Sequence, residues 1–135
     1  MRIFLDANIL YSAARSNGAV RELLDKLVFA GHELVVDAYV AEEARRNIAA
    51  KYPEAAQALE LILTNDVTLK GVRLHPLSVD NRLPDKDRPV LAAAVGFRCD
   101  VLVTGDSKHF GALFGLSVDG TEVLSPRLLA ERLFP

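Results

Sequence analysis

The sequence predicts an α/β fold, a three-layer α/β/α sandwich in which helices cover both faces of a central parallel sheet. Three short apolar runs rich in branched side chains carry this prediction: Ile3–Leu5, Leu34–Val36 and Val101–Val103. Continuous runs of this kind are typical of strands that are buried on both faces. Amphipathic helical patterns lie between them, and strands that alternate with helices form parallel sheets through crossover connections.

Two weaker strand candidates complete the expected sheet, Val72–Leu74 and Glu122–Leu124.

The first long helical pattern follows the first strand, and Gly31 is expected to end it because glycine commonly follows the last turn of a helix. Its apolar positions recur at i, i+3, i+4, i+7 and i+8, which places them on one face. These positions are Val20, Leu23, Leu24, Leu27 and Val28.

The remaining helices are predicted from similar stripes and from capping residues. Asp37 is well placed to cap a helix whose apolar stripe runs through Val40, Ala44 and Ile48. Proline in the first turn favours a helix at Pro53–Leu63. The last two helices are expected at Val90–Val95 and at Pro126–Leu133, the latter capped by Ser125.

Composition favours a globular protein that forms a single domain over residues 1–135. Half of the 135 residues are hydrophobic and a quarter are charged, which excludes an intrinsically disordered chain. The chain has no apolar run of the roughly 20 residues that a membrane helix needs. It begins directly with a strand-like segment and has one cysteine, Cys99, so we expect a cytoplasmic protein with a buried thiol. The net charge of −2 indicates that any nucleic acid is not bound by overall charge alone.

Two aspartates stand at the ends of predicted buried strands, Asp6 directly after Ile3–Leu5 and Asp106 three residues after Val103. Ligands of parallel sheets bind at the carboxyl ends of the strands, so the two carboxylates converge if the strands are neighbours. The competing interpretation is that each aspartate caps the helix that follows it. Thr104 and Gly105 precede Asp106, where a hydroxyl can bond a carboxylate and glycine lets the backbone approach the site closely.

Two further acidic pairs lie next to predicted helices. Asp85 and Asp87 precede the apolar Val90–Val95 helix, and Glu42 and Glu43 lie in the second turn of the helix that Asp37 begins. Helix N-terminal charge and a solvated face are the simpler interpretations of these pairs. Glu42 lies almost opposite the apolar stripe of its helix and is expected to face water, whereas Glu43 lies beside the edge of the stripe and can reach toward the sheet. Four carboxylates at one sheet edge would otherwise require a cation, and hard ions such as Mg²⁺ or Mn²⁺ prefer oxygen ligands. Such a cluster is suited to two-metal hydrolysis of a phosphodiester.

These motifs together resemble the PIN-domain family. Its pattern is matched by Asp6 in FLDANIL, Glu43 in VAEEARRNI, Asp87 in DKDRPVLAAA and Asp106 in LVTGDSKHF, in order and through nearly the whole chain. Asn8 matches the small polar residue that commonly stands two positions after the first aspartate.

The resemblance implies a Mg²⁺- or Mn²⁺-dependent ribonuclease, similar to the VapC-like toxins of type II toxin–antitoxin pairs. It implies that Asp6, Glu43, Asp87 and Asp106 are the catalytic, metal-binding acids, with RNA as substrate and with a cognate antitoxin and a second copy of the chain as partners. Glu42 in place of Glu43, and Asp85 beside or in place of Asp87, are alternatives that the sequence leaves open.

Two other functional classes compete with this interpretation. A PIN-like domain that has lost activity would serve as a scaffold or an RNA-binding module, although all four acids are present. An aspartyl-phosphate phosphotransferase also places an aspartate after its first strand, but the dehalogenase type needs a second acid at the position that Asn8 occupies.

Several basic residues lie near these acids in sequence and are candidates for contacts with RNA phosphates, although a solvated surface role is equally expected for each. The histidines His32, His75 and His109 lack the spacing of metal ligands. The basic candidates are Arg15, Arg45, Arg46, Lys51, Arg88 and Lys108.

Overall fold

A computed structural model describes residues 1–73, 75–77 and 83–135 of the chain. Within these residues, six strands form one sheet in the order β3-β2-β1-β4-β6-β5. All neighbouring pairs are parallel except β5 and β6, which pair antiparallel at one edge. The strands are β1 (Arg2–Leu5), β2 (Glu33–Asp37), β3 (Thr68–Lys70), β4 (Val101–Val103), β5 (Ser117–Val118) and β6 (Thr121–Leu124).

Helices connect the parallel strands, and two short 3₁₀ turns lie at Pro53–Ala55 and Gly111–Leu113. The α-helices of the described residues are α1 (Ala7–Arg15), α2 (Ala19–Phe29), α3 (Ala38–Lys51), α4 (Ala56–Asn65), α5 (Arg88–Gly96), α6 (Ser107–Phe110) and α7 (Pro126–Leu133).

The strand order assigns the helices to layers. Crossovers between parallel strands are right-handed, so the steps from β1 to β2 and from β2 to β3 place α1 to α4 on one face of the sheet. The steps from β3 to β4 and from β4 to β6 run in the opposite direction and place α5 and α6 on the other face. The predicted three-layer α/β/α architecture is therefore confirmed, with one antiparallel edge strand added.

The centre of the sheet is fully enclosed. Ile3, Phe4 and Leu5 of β1 are all completely buried, as expected for a strand that lies between two helical layers. Leu5 pairs with Val103 of β4, so the two strands end at the same level. This register brings the residues that follow β1 and β4 to one edge of the sheet.

Local sequence signals explain most helix boundaries. The Asp37 and Ser125 side chains cap α3 and α7 by accepting hydrogen bonds from the backbone N–H of Val40 and Leu128, as predicted. Gly31 follows α2 with a φ of 86°, in the left-handed region that favours glycine. The helix predicted at Pro53–Leu63 begins as the 3₁₀ turn and continues as α4 to Asn65.

One strand prediction was wrong. The third strand is Thr68–Lys70, and Val72 and Arg73 of the predicted segment lie outside any strand, while Leu74 lies outside the described residues. β3 is a three-residue edge strand whose middle residue, Leu69, is exposed, so it lacks the continuous apolar pattern of a buried strand.

Two further expectations can be compared with the structure. Cys99 is buried, and burial raises the pKa of its thiol to about 12, so it is an unreactive core residue. None of the helices in the described ranges has the length and apolar character needed to cross a lipid bilayer.

Candidate metal centre

Asp6 lies at the carboxyl end of β1 and is almost fully buried. Its Oδ1 accepts a hydrogen bond from the backbone N–H of Ala7 at 2.7 Å, so the side chain caps α1. Its Oδ2 accepts from the Thr104 hydroxyl at 2.8 Å and from the Asn8 amide at 3.2 Å. The capping and site-forming interpretations of Asp6 are therefore both correct, because each carboxylate oxygen serves a different partner.

Thr104 is the junction of this arrangement and is completely buried. Its hydroxyl donates to Asp6 and accepts from Asn8 Nδ2 and from the backbone N–H of Asp106, both at 3.2 Å. A hydroxyl offers one donor and two acceptor positions, so all three are used. The Asn8 carbonyl in turn accepts from the Gly105 N–H at 2.8 Å, which fixes the orientation of the amide. A Cβ on Gly105 would lie 3.3 Å from Asn8 Oδ1, which is tighter than an ordinary contact.

The Asp6 carboxyl resists ionisation in this structure. Its pKa is raised to about 6, chiefly by burial and also by the negative charges of Glu43 and Asp87, while the hydrogen bonds from Thr104 and Ala7 act in the opposite direction. The charges of three sequence-predicted acids thus act on one another at this edge of the sheet.

The two glutamates of α3 differ in environment. Glu42 is exposed and Glu43 is half-buried, in agreement with the predicted helix phase. The effect of Glu43 on the Asp6 carboxyl places its charge at the site. Glu43 is therefore the glutamate that α3 presents to the cluster.

Asp87 and Asp106 meet around a histidine. His109 Nδ1 lies 2.9 Å from Asp87 Oδ2 and 2.8 Å from Asp106 Oδ2. Neither contact has hydrogen-bond geometry, and Asp87 Oδ2 and His109 Nδ1 are both buried without a hydrogen-bond partner. The ligand atoms of these three residues lie within 4.8 Å of one another. Asp106 also caps the short helix α6, through a bond from the His109 N–H to its Oδ1 at 3.0 Å.

His109 is the basic side chain that contacts this cluster among the described residues. Within the described ranges, no lysine or arginine forms an ion pair with Asp6, Glu43, Asp87 or Asp106. Burial raises the pKa of the Asp87 carboxyl, and the Asp106 charge raises it further, although His109 and Lys86 act in the opposite direction. Converging carboxylates and an unpartnered buried oxygen are what a hard divalent cation would satisfy, so the residues present fit Mg²⁺ or Mn²⁺.

The neighbouring acids are placed differently. Asp85 points away from the cluster, with a side chain that is 96% exposed and forms a surface ion pair with Arg88. Asp87 precedes α5 without capping it, so its carboxylate is free for the site. The structure thus separates Asp87 from Asp85 in the way that it separates Glu43 from Glu42.

A tyrosine connects two of the elements that supply acids. The hydroxyl of Tyr39, in the first turn of α3, donates to the backbone carbonyl of Lys86 at 2.8 Å. This bond joins the helix that carries Glu43 to the turn that carries Asp87. Burial and the charges of Glu43 and Asp87 raise the pKa of the Tyr39 phenol, which places it beside the cluster.

Sequence reasoning missed two residues at this site, His109 and Tyr39. The ring of His109 reaches the acids because it lies three residues after Asp106, on the same face of the turn that Asp106 caps. That spacing was the available signal. Tyr39 meets Lys86 across 47 positions of sequence, and no local pattern indicates that contact.

A family model described as PIN domain matches residues 2–108 of the chain. The chain belongs to the PIN-domain family. The match includes all four acids, and it confirms the family that their motifs resemble. No curated protein sequence matches this PIN-domain chain.

Solved structures support the fold of this PIN domain. VapBC2 from Rickettsia felis, bound to a DNA fragment from its promoter, has a TM-score of 0.66 at 14% identity, covering 93% of this chain and 98% of that chain. VapBC-1 from nontypeable Haemophilus influenzae has a TM-score of 0.60 at 17% identity, with coverages of 94% and 99%. Mycobacterium tuberculosis VapC20, described as a toxin that cleaves the sarcin–ricin loop, has a TM-score of 0.61 at 15% identity, with coverages of 86% and 98%.

Proposed function

We propose that this protein is a ribonuclease that hydrolyses RNA phosphodiester bonds with Mg²⁺ or Mn²⁺. The observation that carries the proposal is an acidic group at one sheet edge. The ligand atoms of Asp87, Asp106 and His109 lie within 4.8 Å of one another, and the charges of Glu43 and Asp87 act on the buried Asp6. No lysine or arginine of the described residues forms an ion pair with these four acids. Uncompensated carboxylates near one another are costly unless a cation binds among them. Membership of the PIN-domain family and the solved toxin structures support the same conclusion.

In this proposal Asp6, Glu43, Asp87 and Asp106 bind the ions. The site belongs to a single domain formed by residues 1–135. Bound divalent ions activate water and stabilise the charge that develops on the phosphate. The chain's own part is orientation. Thr104 and Asn8 hold the Asp6 carboxylate in one rotamer, and the Tyr39 hydroxyl holds the Asp87 turn against α3. Such fixed supporting contacts are what a metal site needs to keep its ligands in place.

The direct test is a cleavage assay on single-stranded RNA. We expect cleavage with Mn²⁺ or Mg²⁺ and none with EDTA. Calorimetric titration of the same protein with Mn²⁺ alone measures binding of the ion without reference to turnover. Cleavage that survives EDTA would contradict the metal mechanism. Absence of both cleavage and ion binding would favour an inactive scaffold or RNA-binding module.

We also propose that the protein is the toxin of a type II pair and pairs with a cognate antitoxin. Support comes from solved structures that share the fold, among them VapBC2 from Rickettsia felis and VapBC-1 from Haemophilus influenzae. Induced expression in a bacterial host is expected to stop growth, and coexpression of the gene beside this one is expected to restore it. Growth arrest that Asp6→Asn does not relieve would contradict a toxic role for the site.

The partners also include RNA and, as the family resemblance implies, a second copy of the chain. Light scattering of the purified protein measures the oligomeric state. A monomer at all concentrations tested would remove the homodimer from the proposal without affecting the catalytic part.

A further inference from the structure

A groove leaves the acid cluster along α1. Its first part is a depression of about 330 Å³ beside Asp106, lined by Asn8, Ser12 and Gly105 among others. A second depression of about 200 Å³ shares Ser12 with the first and ends at Arg15. The two depressions therefore form one path that begins at the wall of the site.

One face of α1 forms the polar side of this path. Asn8, Ser12 and Arg15 stand at i, i+4 and i+7, so they follow one another along a single face of the helix. At 1.5 Å per residue, Arg15 lies about 10 Å along the helix from Asn8. Apart from Asp106 at the site, the rest of the lining is uncharged and includes Gly18, Ala19 and Val20, of which Val20 lines both depressions. The path thus changes from acidic at the site to basic at its far end.

Two aromatic rings and a second cation lie next to Arg15 at the far end, outside the residues that line the two depressions. The Arg15 guanidinium lies 5.0 Å from the centre of the Tyr52 ring, and Lys51 Nζ lies 5.9 Å from the centre of the Tyr11 ring. The two rings pack edge to face with centroids 6.0 Å apart. Within the part of the chain that the structure describes, Arg15 and Lys51 form no ion pair with a carboxylate, in contrast to Arg45, which is bound to Glu60.

Unpaired cations beside aromatic rings suit a single-stranded nucleic acid. Phosphates are neutralised by lysine and arginine, and bases stack on aromatic or guanidinium planes. Because the acid cluster itself repels RNA, attraction has to come from cations that are set apart from it. Arg15 meets this condition, since it is separated from the acids by the length of α1.

We propose that this groove binds the single-stranded RNA that flanks the phosphate to be cleaved. Arg15 binds one backbone phosphate, and the Ser12 hydroxyl donates a hydrogen bond to the RNA between that phosphate and the site. This inference rests on the proposed ribonuclease function and extends it to the placement of the substrate. It has a specific consequence. RNA long enough to reach Arg15 gains affinity from it, and RNA that ends before Arg15 does not.

The test compares Arg15→Gln with the parent protein on single-stranded RNAs of about 4 and about 16 nucleotides, within the range of site sizes known for single-strand binding. We expect the KM of the longer RNA to rise roughly fivefold to tenfold with kcat unchanged, since one charge-assisted contact is lost. The KM of the shorter RNA should stay the same, and Arg15→Lys should restore most of the loss. A purely structural role for Arg15 would affect both RNAs equally.

The matched control is Arg98→Gln. It removes one positive charge from an exposed residue after the C-terminus of α5, on the other face of the sheet. We expect no change in KM for either RNA. Equal effects of the two substitutions would reduce the result to net charge and overturn the inference.

A binding measurement separates this inference from the proposed activity. Fluorescence anisotropy of the longer RNA in EDTA needs no turnover, and Arg15→Gln should weaken binding and lower the salt slope of log K by about 0.7. If the parent protein cleaves no RNA but this difference is found, the proposed function fails and the groove stands. If cleavage is found but Arg15→Gln matches the parent protein in both assays, the groove fails and the proposed function stands.

Discussion

The two walls of the site differ in how completely their polar atoms are satisfied. The strand wall, formed by Asp6, Asn8, Thr104 and Gly105, has a hydrogen-bond partner for each polar side chain. The helix wall, formed by Glu43, Asp87, Asp106 and His109, leaves Asp87 Oδ2 and His109 Nδ1 buried without one. Buried polar atoms are rarely left unpaired, so such atoms need an explanation. The hydrogen bonds of the chain satisfy the strand wall, whereas the helix wall presents the two atoms that the proposed cation would contact.

The largest expected effect comes from removing one acid from each wall. Asp6→Asn and Asp87→Asn should each lower the RNA cleavage rate by roughly a thousandfold or more, because each removes charge that would hold an ion. Single-turnover cleavage at saturating Mn²⁺ measures the loss. The controls are Glu42→Gln and Asp85→Asn, which alter exposed acids next to the cluster and should cleave normally. If these controls lost as much activity as the buried acids, the assignment of Asp87 and Glu43 would be wrong.

The next largest effect is expected on how the free energy of unfolding depends on pH in the absence of divalent ions. The Asp6 pKa is about 6 in the folded protein and 3.8 ordinarily, so unfolding releases a proton between these values. The free energy of unfolding should therefore fall as the pH rises from about 4 to about 6, by roughly 2 to 3 kcal/mol from Asp6 alone.

Urea denaturation of the parent protein and of Asp6→Asn in EDTA measures this contribution. The substitution should remove most of the slope and leave the protein at least as stable at neutral pH. Saturating Mg²⁺ should restore stability to the parent protein only. A variant that is much less stable than the parent at pH 7 would show that the Asp6 hydrogen bonds outweigh the cost of burying its charge.

A smaller loss is expected from Thr104→Val, which alters the strand wall without changing its shape. The substitution leaves the Asn8 amide and the Asp106 N–H without their shared acceptor, and we expect unfolding to require roughly 1 to 3 kcal/mol less free energy. Thr104→Ser keeps the hydroxyl and should lose less stability. Denaturation midpoints in EDTA compare the two, and a loss in Thr104→Ser as large as in Thr104→Val would contradict a specific role for the hydroxyl.

The smallest effect is expected at the link between α3 and the Asp87 turn. Tyr39→Phe removes one partly exposed hydrogen bond to the Lys86 carbonyl, which is worth about 1 kcal/mol. We expect Mn²⁺ to bind several-fold more weakly, with a nearly unchanged cleavage rate once the ion is saturating. Calorimetric titration measures the affinity. Tyr11→Phe is the control, because its hydroxyl forms no hydrogen bond within the described ranges, and an equal loss there would remove the positioning role from Tyr39.

Local sequence patterns predicted the structure correctly where the residues that determine a feature are close together in the sequence. The central strands, the caps at Asp37 and Ser125 and the exposed position of Glu42 all follow from period and capping chemistry. They failed at β3, which is a short edge strand with half-exposed side chains, and at β5, whose two residues give no period. In both places the strand is defined by pairing with a neighbour and not by burial.

The sequence by itself determined that this is an α/β protein with acids at the ends of buried strands, because apolar runs and helical stripes are properties of consecutive residues. Only the tertiary structure decided which polar side chains of the site contact one another. The register of β1 and β4 brings Thr104 to Asp6 across 98 positions, and a turn of α6 brings His109 between Asp87 and Asp106. These contacts depend on how separate elements pack, and packing distances are not encoded in any local stretch of the chain.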